Sequence, residues 1–196
     1  MHAFYFDVGG VLIGDNLAYG DLGLRTFARL AARAPCDSVD LYNSFLTLVP
    51  LLDIGELSLR ELCLTLGLDL TTFKHKWLLL HPSRVPILKI MHTLLKSGHT
   101  VGLATNINSE LLELLVMRDA LLSKLVICCS ADIRAVKPSQ RFYEHASKLI
   151  GTNNVIFVDD RPINIEAANA YGWNALLANG DWMSAFCSRY CALDRR

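Results

Sequence analysis

Several side chains able to bind or transfer a charged group stand directly after short apolar runs of this chain, or in the segment that follows one. In chain order they are Asp7, Thr105, Asn106, Lys137, Asp159 and Asp160. Two carboxylates, completed by water and a phosphate oxygen, make a site for Mg²⁺, because this ion prefers hard oxygen ligands. A carboxylate can also attack phosphorus to form an aspartyl phosphate, provided that a metal ion and a lysine neutralise the approaching anion. The residue types therefore indicate phosphoryl transfer.

Thr105 begins a polar turn that could hold phosphate oxygens. Its hydroxyl and the backbone amides of residues 106–109, at the start of a predicted helix, are groups of the kind that bind anions. Taken singly, each residue of the set also has an ordinary explanation as a helix cap or an exposed loop residue. Only their joint position favours a binding site.

The apolar runs predict a parallel β-sheet. Four of them span residues 3–6, 100–104, 125–129 and 155–158, and a weaker fifth covers 174–178. Apolar residues at helical spacing separate the runs, so strand and helix alternate. This alternation predicts an α/β fold, a Rossmann-like parallel sheet sandwiched by helices. Ligands of such sheets lie beyond the carboxyl ends of the strands, which is where the reactive residues stand.

Residues 16–82 interrupt the alternation. They hold mostly leucine at helical spacing, with predicted breaks at Ala34-Pro35, at residues 53–55 and near Gly67, which indicates three or four short helices. Ser58 and Glu61 have the spacing of a capping box, so one helix is expected to start there. We predict a small α-helical cap over residues 16–82, inserted after the first strand into an α/β core of residues 1–15 and 83–196.

The composition excludes several classes of function. Basic and acidic side chains are equal in number, 19 each, so no bulk positive field attracts nucleic acid or an anionic membrane. The first residues lack the basic and apolar stretches of a signal peptide, so none is expected, and the apolar runs are shorter than the roughly 20 residues that cross a bilayer. The six cysteines form no Cys-x-x-Cys pair and are expected to be free thiols in a reducing compartment. The expected location is cytoplasmic.

Four stretches of the chain form an ordered set of motifs. They run from Phe6 to Leu12, from Ala104 to Asn106, from Val136 to Tyr143 and from Val158 to Ala168. In this order they resemble the four motifs of the haloacid dehalogenase superfamily. The last two, together with residues 54–61 of the insert, look most like the branch that contains bacterial sugar-1-phosphate phosphatases and the N-terminal phosphatase domain of soluble epoxide hydrolases.

The resemblance implies a metal site. Asp7 would be both the nucleophile and a Mg²⁺ ligand, and the Gly9 carbonyl would be a second ligand. Asp160 matches the metal-binding acid of the family better than Asp159 does. We therefore expect Asp160 to be the third protein ligand and Asp159 to support it.

The same resemblance implies a phosphate site. Thr105 would bind the phosphate, with Asn106 beside it as a second substrate-binding residue. Lys137 would contact the substrate and stabilise both the nucleophile and the transferring group. Thr105 and Lys137 thus join Asp7 as the expected catalytic residues.

Two positions depart from the pattern of the family. Most of its phosphatases carry a general acid and base two residues after the nucleophile, where this chain has Gly9. General acid–base help is worth about 10²–10⁴-fold, so its loss affects turnover more than phosphate binding. Asp15 is a candidate substitute acting through water. Asn164 stands where many relatives place another acid, which should weaken Mg²⁺ binding.

Three hypotheses follow. The first is a Mg²⁺-dependent phosphatase of a small phosphorylated metabolite, a sugar phosphate being one candidate, that acts as a monomer or homodimer. The second is a dehalogenase, whose halide leaving group needs no proton, so that Gly9 would matter less. The third is a catalytically weak protein kept for binding, which the loss at Gly9 would favour.

Overall fold

A computed structural model of the chain describes residues 2–14, 25, 27–29 and 38–191. It contains one five-stranded parallel sheet in the order β3-β2-β1-β4-β5. The strands are β1 Ala3–Phe6, β2 Thr100–Thr105, β3 Val126–Cys129, β4 Val155–Asp159 and β5 Asn174–Leu177. Each strand agrees with its prediction to within one residue at either end, and the predicted α/β fold class is confirmed.

Helices fill the connections between the strands. The α-helices after residue 37 whose bounds the structure gives are α1 Ser38–Asp53, α2 Leu59–Thr65, α3 Leu70–Leu80, α4 Val85–Lys96, α5 Ser109–Arg118, α6 Ser130–Ile133, α7 Gln140–Ile150, α8 Pro162–Tyr171 and α9 Trp182–Tyr190. A short helical turn also spans Val8–Leu12, and a 3-10 helix spans Leu122–Lys124. Every strand runs parallel to its neighbours, because a helical crossover returns the chain to the same end of the sheet each time.

The core divides into two layers, one on each face of the sheet. Phe4 and Phe6 belong to one buried cluster, whereas Tyr5, between them, belongs to the other, as the alternation of side chains along a strand requires. The Tyr5 hydroxyl donates a 3.0 Å hydrogen bond to the Ala146 carbonyl, so its burial leaves no polar atom unpaired. Cys128 and Cys129 likewise lie on opposite faces of the sheet.

The segment between β1 and β2 contains α1, α2 and α3. The predicted capping box is present: the Glu61 amide donates to Ser58 Oγ at 3.2 Å, and the Ser58 amide donates to Glu61 Oε2 at 2.9 Å. The predicted breaks at residues 53–55 and near Gly67 coincide with the ends of α1 and α2. The break predicted at Ala34-Pro35 lies outside the described residues.

The same segment packs directly on the sheet. Its apolar residues, such as Phe45, Leu59 and Trp77, join the buried cluster that contains Phe6. The cysteines that the structure describes are all free thiols, and Cys36 lies outside the described residues. Among the described helices, none is both long and apolar enough to cross a membrane.

The order of the strands places β1 at the centre, between β2 and β4. The chain leaves β1 to one side for β2 and β3, and returns to the other side for β4 and β5. A crevice forms at the carboxyl ends where the direction of winding reverses. Asp7, Thr105 and Asp159 stand at the carboxyl ends of β1, β2 and β4, so the topology brings them to this crevice.

Candidate active site

Asp7 begins a tight turn at the end of β1. Its amide donates to the Val158 carbonyl of β4 at 2.8 Å, and its Oδ1 accepts from the Val8 amide at 2.7 Å. Gly10 in this turn has a φ of 71°, a left-handed conformation that favours glycine. A Cβ on Gly10 would also lie 2.1 Å from Asp160 Oδ2. Glycine is therefore required for this turn to lie directly against Asp160.

Lys137 joins the ends of three strands. Its Nζ lies 3.0 Å from Asp7 Oδ1 and 2.6 Å from Asp159 Oδ2, and it donates to the Ala104 carbonyl at 2.9 Å. The Lys137 side chain is 1% exposed. A buried ion pair with this many hydrogen bonds holds each charge in one place. Asp7, predicted to lie near Lys137, is thus in direct contact with it.

Asn106 holds the backbone of Lys137. The Lys137 amide donates to Asn106 Oδ1 at 2.8 Å, and Asn106 Nδ2 donates to the Lys137 carbonyl at 2.9 Å. Both polar atoms of the side chain are engaged in this pair of bonds. The Asn106 side chain therefore positions the backbone of Lys137, and the contact of Asn106 with substrate stays a prediction.

Two adjacent acids at the end of β4 have different surroundings. Asp159 is fully buried and accepts hydrogen bonds from Lys137 Nζ and the Arg161 amide. Asn164 Nδ2 lies 3.0 Å from each of its two carboxylate oxygens and donates to them. Asp160 Oδ1 is buried and has no hydrogen-bond partner among the described residues. Asp159 is thus satisfied within the protein, whereas Asp160 retains a buried oxygen without a donor.

Oxygen atoms of Asp7, Asp159 and Asp160 lie within 4.8 Å of one another, and we call these three residues the carboxylate cluster. Lys137 is the only cation that the described residues bring into direct contact with the cluster. The excess of negative charge and the unpaired Asp160 oxygen fit a divalent cation with oxygen ligands. The donor set therefore suits Mg²⁺.

The surroundings move the pKa values of these groups apart. Burial raises the pKa of Asp7 to about 7, against the pull of Lys137, and burial also raises the pKa of Asp160. Burial alone would raise the pKa of Asp159, but the Lys137 ammonium holds it below its usual range. Burial would lower the pKa of Lys137, but Asp159 and Asp7 outweigh it and raise the value. Lys137 is therefore a permanent cation here.

Thr105 lies at the end of β2 and lines the cavity beside Asp7. Several amides of the following turn already have acceptors: the Ile107 amide donates to Ser130 Oγ at 3.0 Å. Asn108 Oδ1 caps α5 by accepting from the amides of residues 110 and 111. The Ile107 amide, one of the four predicted to hold an anion, is thus already engaged within the protein.

The site opens into a cavity of about 90 Å³ between the sheet and the inserted helices. Its sheet side carries Asp7, Gly9, Thr105, Asn106, Lys137, Arg161 and Asn164. Its opposite side is formed by Phe45, Val49, Leu52 and Trp77, which we call the apolar wall. The cavity therefore presents a charged side and an apolar side to the same ligand.

The sequence reasoning did not select two charged residues of this cavity. Arg161 lines the sheet side. Asp53 was noted only as a helix break, yet it is the last residue of α1 and lines the cavity. One signal could have identified Asp53: an acid at a helix C-terminus opposes the helix dipole, and a broken local rule often marks a functional position.

Other predicted positions have simpler outcomes. The Asn164 side chain donates to Asp159, and its Oδ1 is buried without a partner among the described residues. His81 is buried and stacks on Trp77 with ring centroids 4.9 Å apart. Asp15, the suggested substitute acid, lies outside the described residues.

The chain matches a known family of proteins. The sequence profile of the haloacid dehalogenase-like hydrolases matches residues 74–178, more than half of the chain. The chain belongs to this family. The matched region of this haloacid dehalogenase-like hydrolase runs from α3 through β5 and includes Thr105, Lys137 and the acids of β4.

Solved structures share the fold. A magnesium and phosphate complex of a haloacid dehalogenase family enzyme from Bacteroides thetaiotaomicron matches with a TM-score of 0.73 and 17% identity, over 95% of this chain and 99% of that one. A phosphatase of the family from Thermococcus onnurineus matches with a TM-score of 0.66 and 16% identity, over 92% and 87%. An L-2-haloacid dehalogenase from Xanthobacter autotrophicus, with chloropropionic acid covalently bound, matches with a TM-score of 0.62 and 15% identity, over 94% and 81%.

Proposed function

We propose that this hydrolase is a Mg²⁺-dependent phosphatase that acts on a small phosphorylated metabolite through an aspartyl phosphate on Asp7. The observation that carries the proposal is the contact of the Asp7 carboxylate with Lys137, 3.0 Å away, at the floor of the cavity. A carboxylate beside a buried ammonium is arranged to meet an anionic electrophile. The magnesium and phosphate complex of the Bacteroides relative supports the same chemistry.

The residues that would hold Mg²⁺ are Asp7, the Gly9 carbonyl and Asp160. The unpaired buried oxygen of Asp160 and its position against Gly10 support this assignment. When bound, the ion would offset the negative charge of the cluster and of the phosphoryl oxygens. Asp159 takes a supporting role, because its oxygens already accept hydrogen bonds from Lys137 and Asn164.

The protein's own groups perform the remaining tasks. Thr105 and the Asn106 amide hold phosphoryl oxygens, and Lys137 stabilises the charge that moves from Asp7 to phosphorus. The Asp7 Oδ attacks phosphorus, the bond to the ester oxygen breaks, and water later attacks the same phosphorus to restore Asp7. Residues 16–82 act as a cap in this proposal, with the apolar wall keeping bulk water from the reacting group.

The leaving group is the variable part of the substrate. The apolar wall faces it, and the cavity of about 90 Å³ favours a compact group with apolar surface. The proposed substrates include small sugar phosphates, which the sequence resemblance suggests, if their leaving group fits this space.

The test is phosphate release from a panel of small phosphate esters with and without Mg²⁺. The wild-type protein should release phosphate only with the metal, and Asp7→Asn should lose at least about 10³-fold of the rate. Asp181→Asn, the same substitution on an exposed turn, is the matched control. Equal rates in Asp7→Asn and wild type would refute the nucleophile, and halide release from haloacids without Mg²⁺ would favour a dehalogenase instead.

A further inference from the structure

Gly9 has no side chain, so the site lacks a general acid and base at this position. When Asp7 attacks a phosphate ester, the expelled alkoxide needs a proton, and the water that follows must lose one. The titratable side chains that line the cavity, within the described residues, are Asp7, Asp53, His81, Lys137 and Arg161. Asp7 is the nucleophile, and Lys137 and Arg161 are cations at neutral pH. Asp53 and His81 are therefore the groups to compare.

His81 is poorly placed for this task. It is 2% exposed, its Nδ1 lies 2.7 Å from the Trp77 carbonyl, and its ring stacks on the Trp77 ring. These contacts hold the imidazole against Trp77 at the end of α3. Asp53 lies at the end of α1, lines the same cavity and is half-buried as a residue, and no such ring contact holds its side chain.

The backbone of Asp53 is linked to the turn that follows Thr105. Ser130 Oγ donates to the Asp53 carbonyl at 2.5 Å and accepts from the Ile107 amide at 3.0 Å. One hydroxyl therefore links the end of α1 to the turn that follows Thr105. Gly55 adds a second close contact, because a Cβ there would lie 2.5 Å from the Ala131 carbonyl oxygen. The end of α1 is thus held to the sheet side of the site.

The surroundings of Asp53 suit proton exchange. Burial raises the pKa of Asp53 to about 7, while the charges of Lys137 and Arg161 act to lower it. The last turn of α1 has no basic residue, so the negative end of the helix dipole also disfavours the carboxylate. A pKa near the working pH is the value at which a group can both give and take a proton.

We propose that Asp53 is the general acid and base of this site, supplied by the inserted helices in place of the side chain missing at Gly9. The proposal rests on the proposed function of the preceding section. In the first step Asp7 bonds to phosphorus, the phosphorus–oxygen bond of the ester breaks, and the Asp53 proton passes to the alkoxide to give the alcohol. In the second step the Asp53 carboxylate takes a proton from a water molecule as the oxygen of that water bonds to phosphorus. The Asp7–phosphorus bond then breaks, which releases phosphate and restores both acids.

The test compares two substrates of similar size. Ethyl phosphate expels ethoxide, which needs a proton, whereas acetyl phosphate expels acetate, which does not. Wild type, Asp53→Asn and Glu56→Gln are loaded with Mg²⁺, and release of ethanol or acetate is followed in a single turnover with enzyme in excess. Glu56 is the matched control, because it is an exposed acid three residues further along the same turn. Melting temperatures check that each variant is folded.

In Asp53→Asn, ethanol release should slow by about 10²–10⁴-fold, while acetate release should stay near the wild-type rate. Glu56→Gln should match wild type with both substrates. Equal slowing with both substrates would assign Asp53 a positioning role and overturn the proposal. Unchanged ethanol release in Asp53→Asn would also overturn it, while leaving the proposed function intact. A wild-type protein no faster than Asp7→Asn would refute the proposed function itself.

The pH profile gives a second readout. Lys137 and Arg161 are the charges that act on the Asp53 carboxyl, and Asp7 and His81 line the same cavity. The elements packed against α1 are α2, which carries Arg60 and Glu61, and α6, which carries Asp132. Because the first step uses the protonated acid, single-turnover ethanol release should fall as pH rises through about 7. That limb should be absent in Asp53→Asn and present in Glu56→Gln. The same limb in Asp53→Asn would contradict the assignment.

Discussion

The two sides of the cavity are built in opposite ways. On the sheet side, Lys137, Asp159 and Asn106 are joined by short hydrogen bonds and ion pairs that fix every charge. On the helical side, the apolar wall presents side chains without charge, and Asp53 stands at its edge. The difference suits two tasks. A fixed set of charges recognises a phosphoryl group, which every substrate shares, and an apolar surface selects the leaving group, which varies.

The largest expected effect comes from removing the central cation of the sheet side. Lys137→Met would leave Asp159 buried without its partner, which should cost about 3–5 kcal/mol in the free energy of unfolding. Catalysis should also fall by about 10²–10³-fold, because the transferring charge loses its main donor. Urea unfolding and phosphate release measure the two effects.

The double variant Lys137→Met with Asp159→Asn sharpens this prediction. Its loss of unfolding free energy should be smaller than the sum of the two single losses, because the unpaired charge is gone. Additive losses would show that the contact does not stabilise the site in the way that its geometry suggests.

A second prediction concerns the turn against Asp160. Gly10→Ala places a methyl group where Asp160 Oδ2 now lies, at a φ of 71° that already disfavours alanine. Displacement of the Asp160 carboxylate should weaken Mg²⁺ binding by about 10–100-fold. The concentration of Mg²⁺ needed for half-maximal phosphate release measures this shift.

Gly14→Ala is the matched control, because a Cβ there meets no atom within 4 Å. It should leave the Mg²⁺ requirement unchanged. If Gly10→Ala and Gly14→Ala require the same Mg²⁺ concentration, Asp160 is not a ligand.

A third prediction concerns the helical side alone. Val49→Ala should enlarge the cavity next to the leaving group and shift preference toward longer alkyl phosphates, by about tenfold in relative kcat/KM. The KM for Mg²⁺ should not change, because the carboxylate cluster is untouched. A loss of activity toward all esters alike would mean that the two sides are not independent.

The smallest expected effect lies outside the cavity. Ser58→Ala removes the capping box of α2, which should lower the free energy of unfolding by about 1 kcal/mol. Phosphate release at a temperature well below melting should match wild type. A large loss of activity would show that the stability of α2 controls the position of the apolar wall.

The sheet side could be predicted from the sequence, and the helical side could not. Apolar runs ending in Asp7, Thr105 and Asp159 define strand ends, and parallel strands bring such ends to one edge. The position of Asp53 depends on how α1 packs, through the Ser130 hydroxyl and the close approach at Gly55. Those contacts join residues far apart in the chain and have no local signature. The resemblance suggests different roles for Asp159 and Asp160, and the sequence gives no physical reason for the difference. The structure supplies one, because Asp159 is hydrogen-bonded to Lys137 whereas a buried oxygen of Asp160 has no donor among the described residues.

The most direct test of the account looks for the covalent intermediate. The protein is mixed with Mg²⁺ and acetyl phosphate, quenched in acid within the first turnover, digested and analysed by mass spectrometry. We expect one phosphoryl group on the peptide that contains Asp7, absent when Mg²⁺ is omitted and absent in Asp7→Asn. Phosphate release without any phosphorylated peptide, or with the phosphoryl group on another residue, would contradict the account.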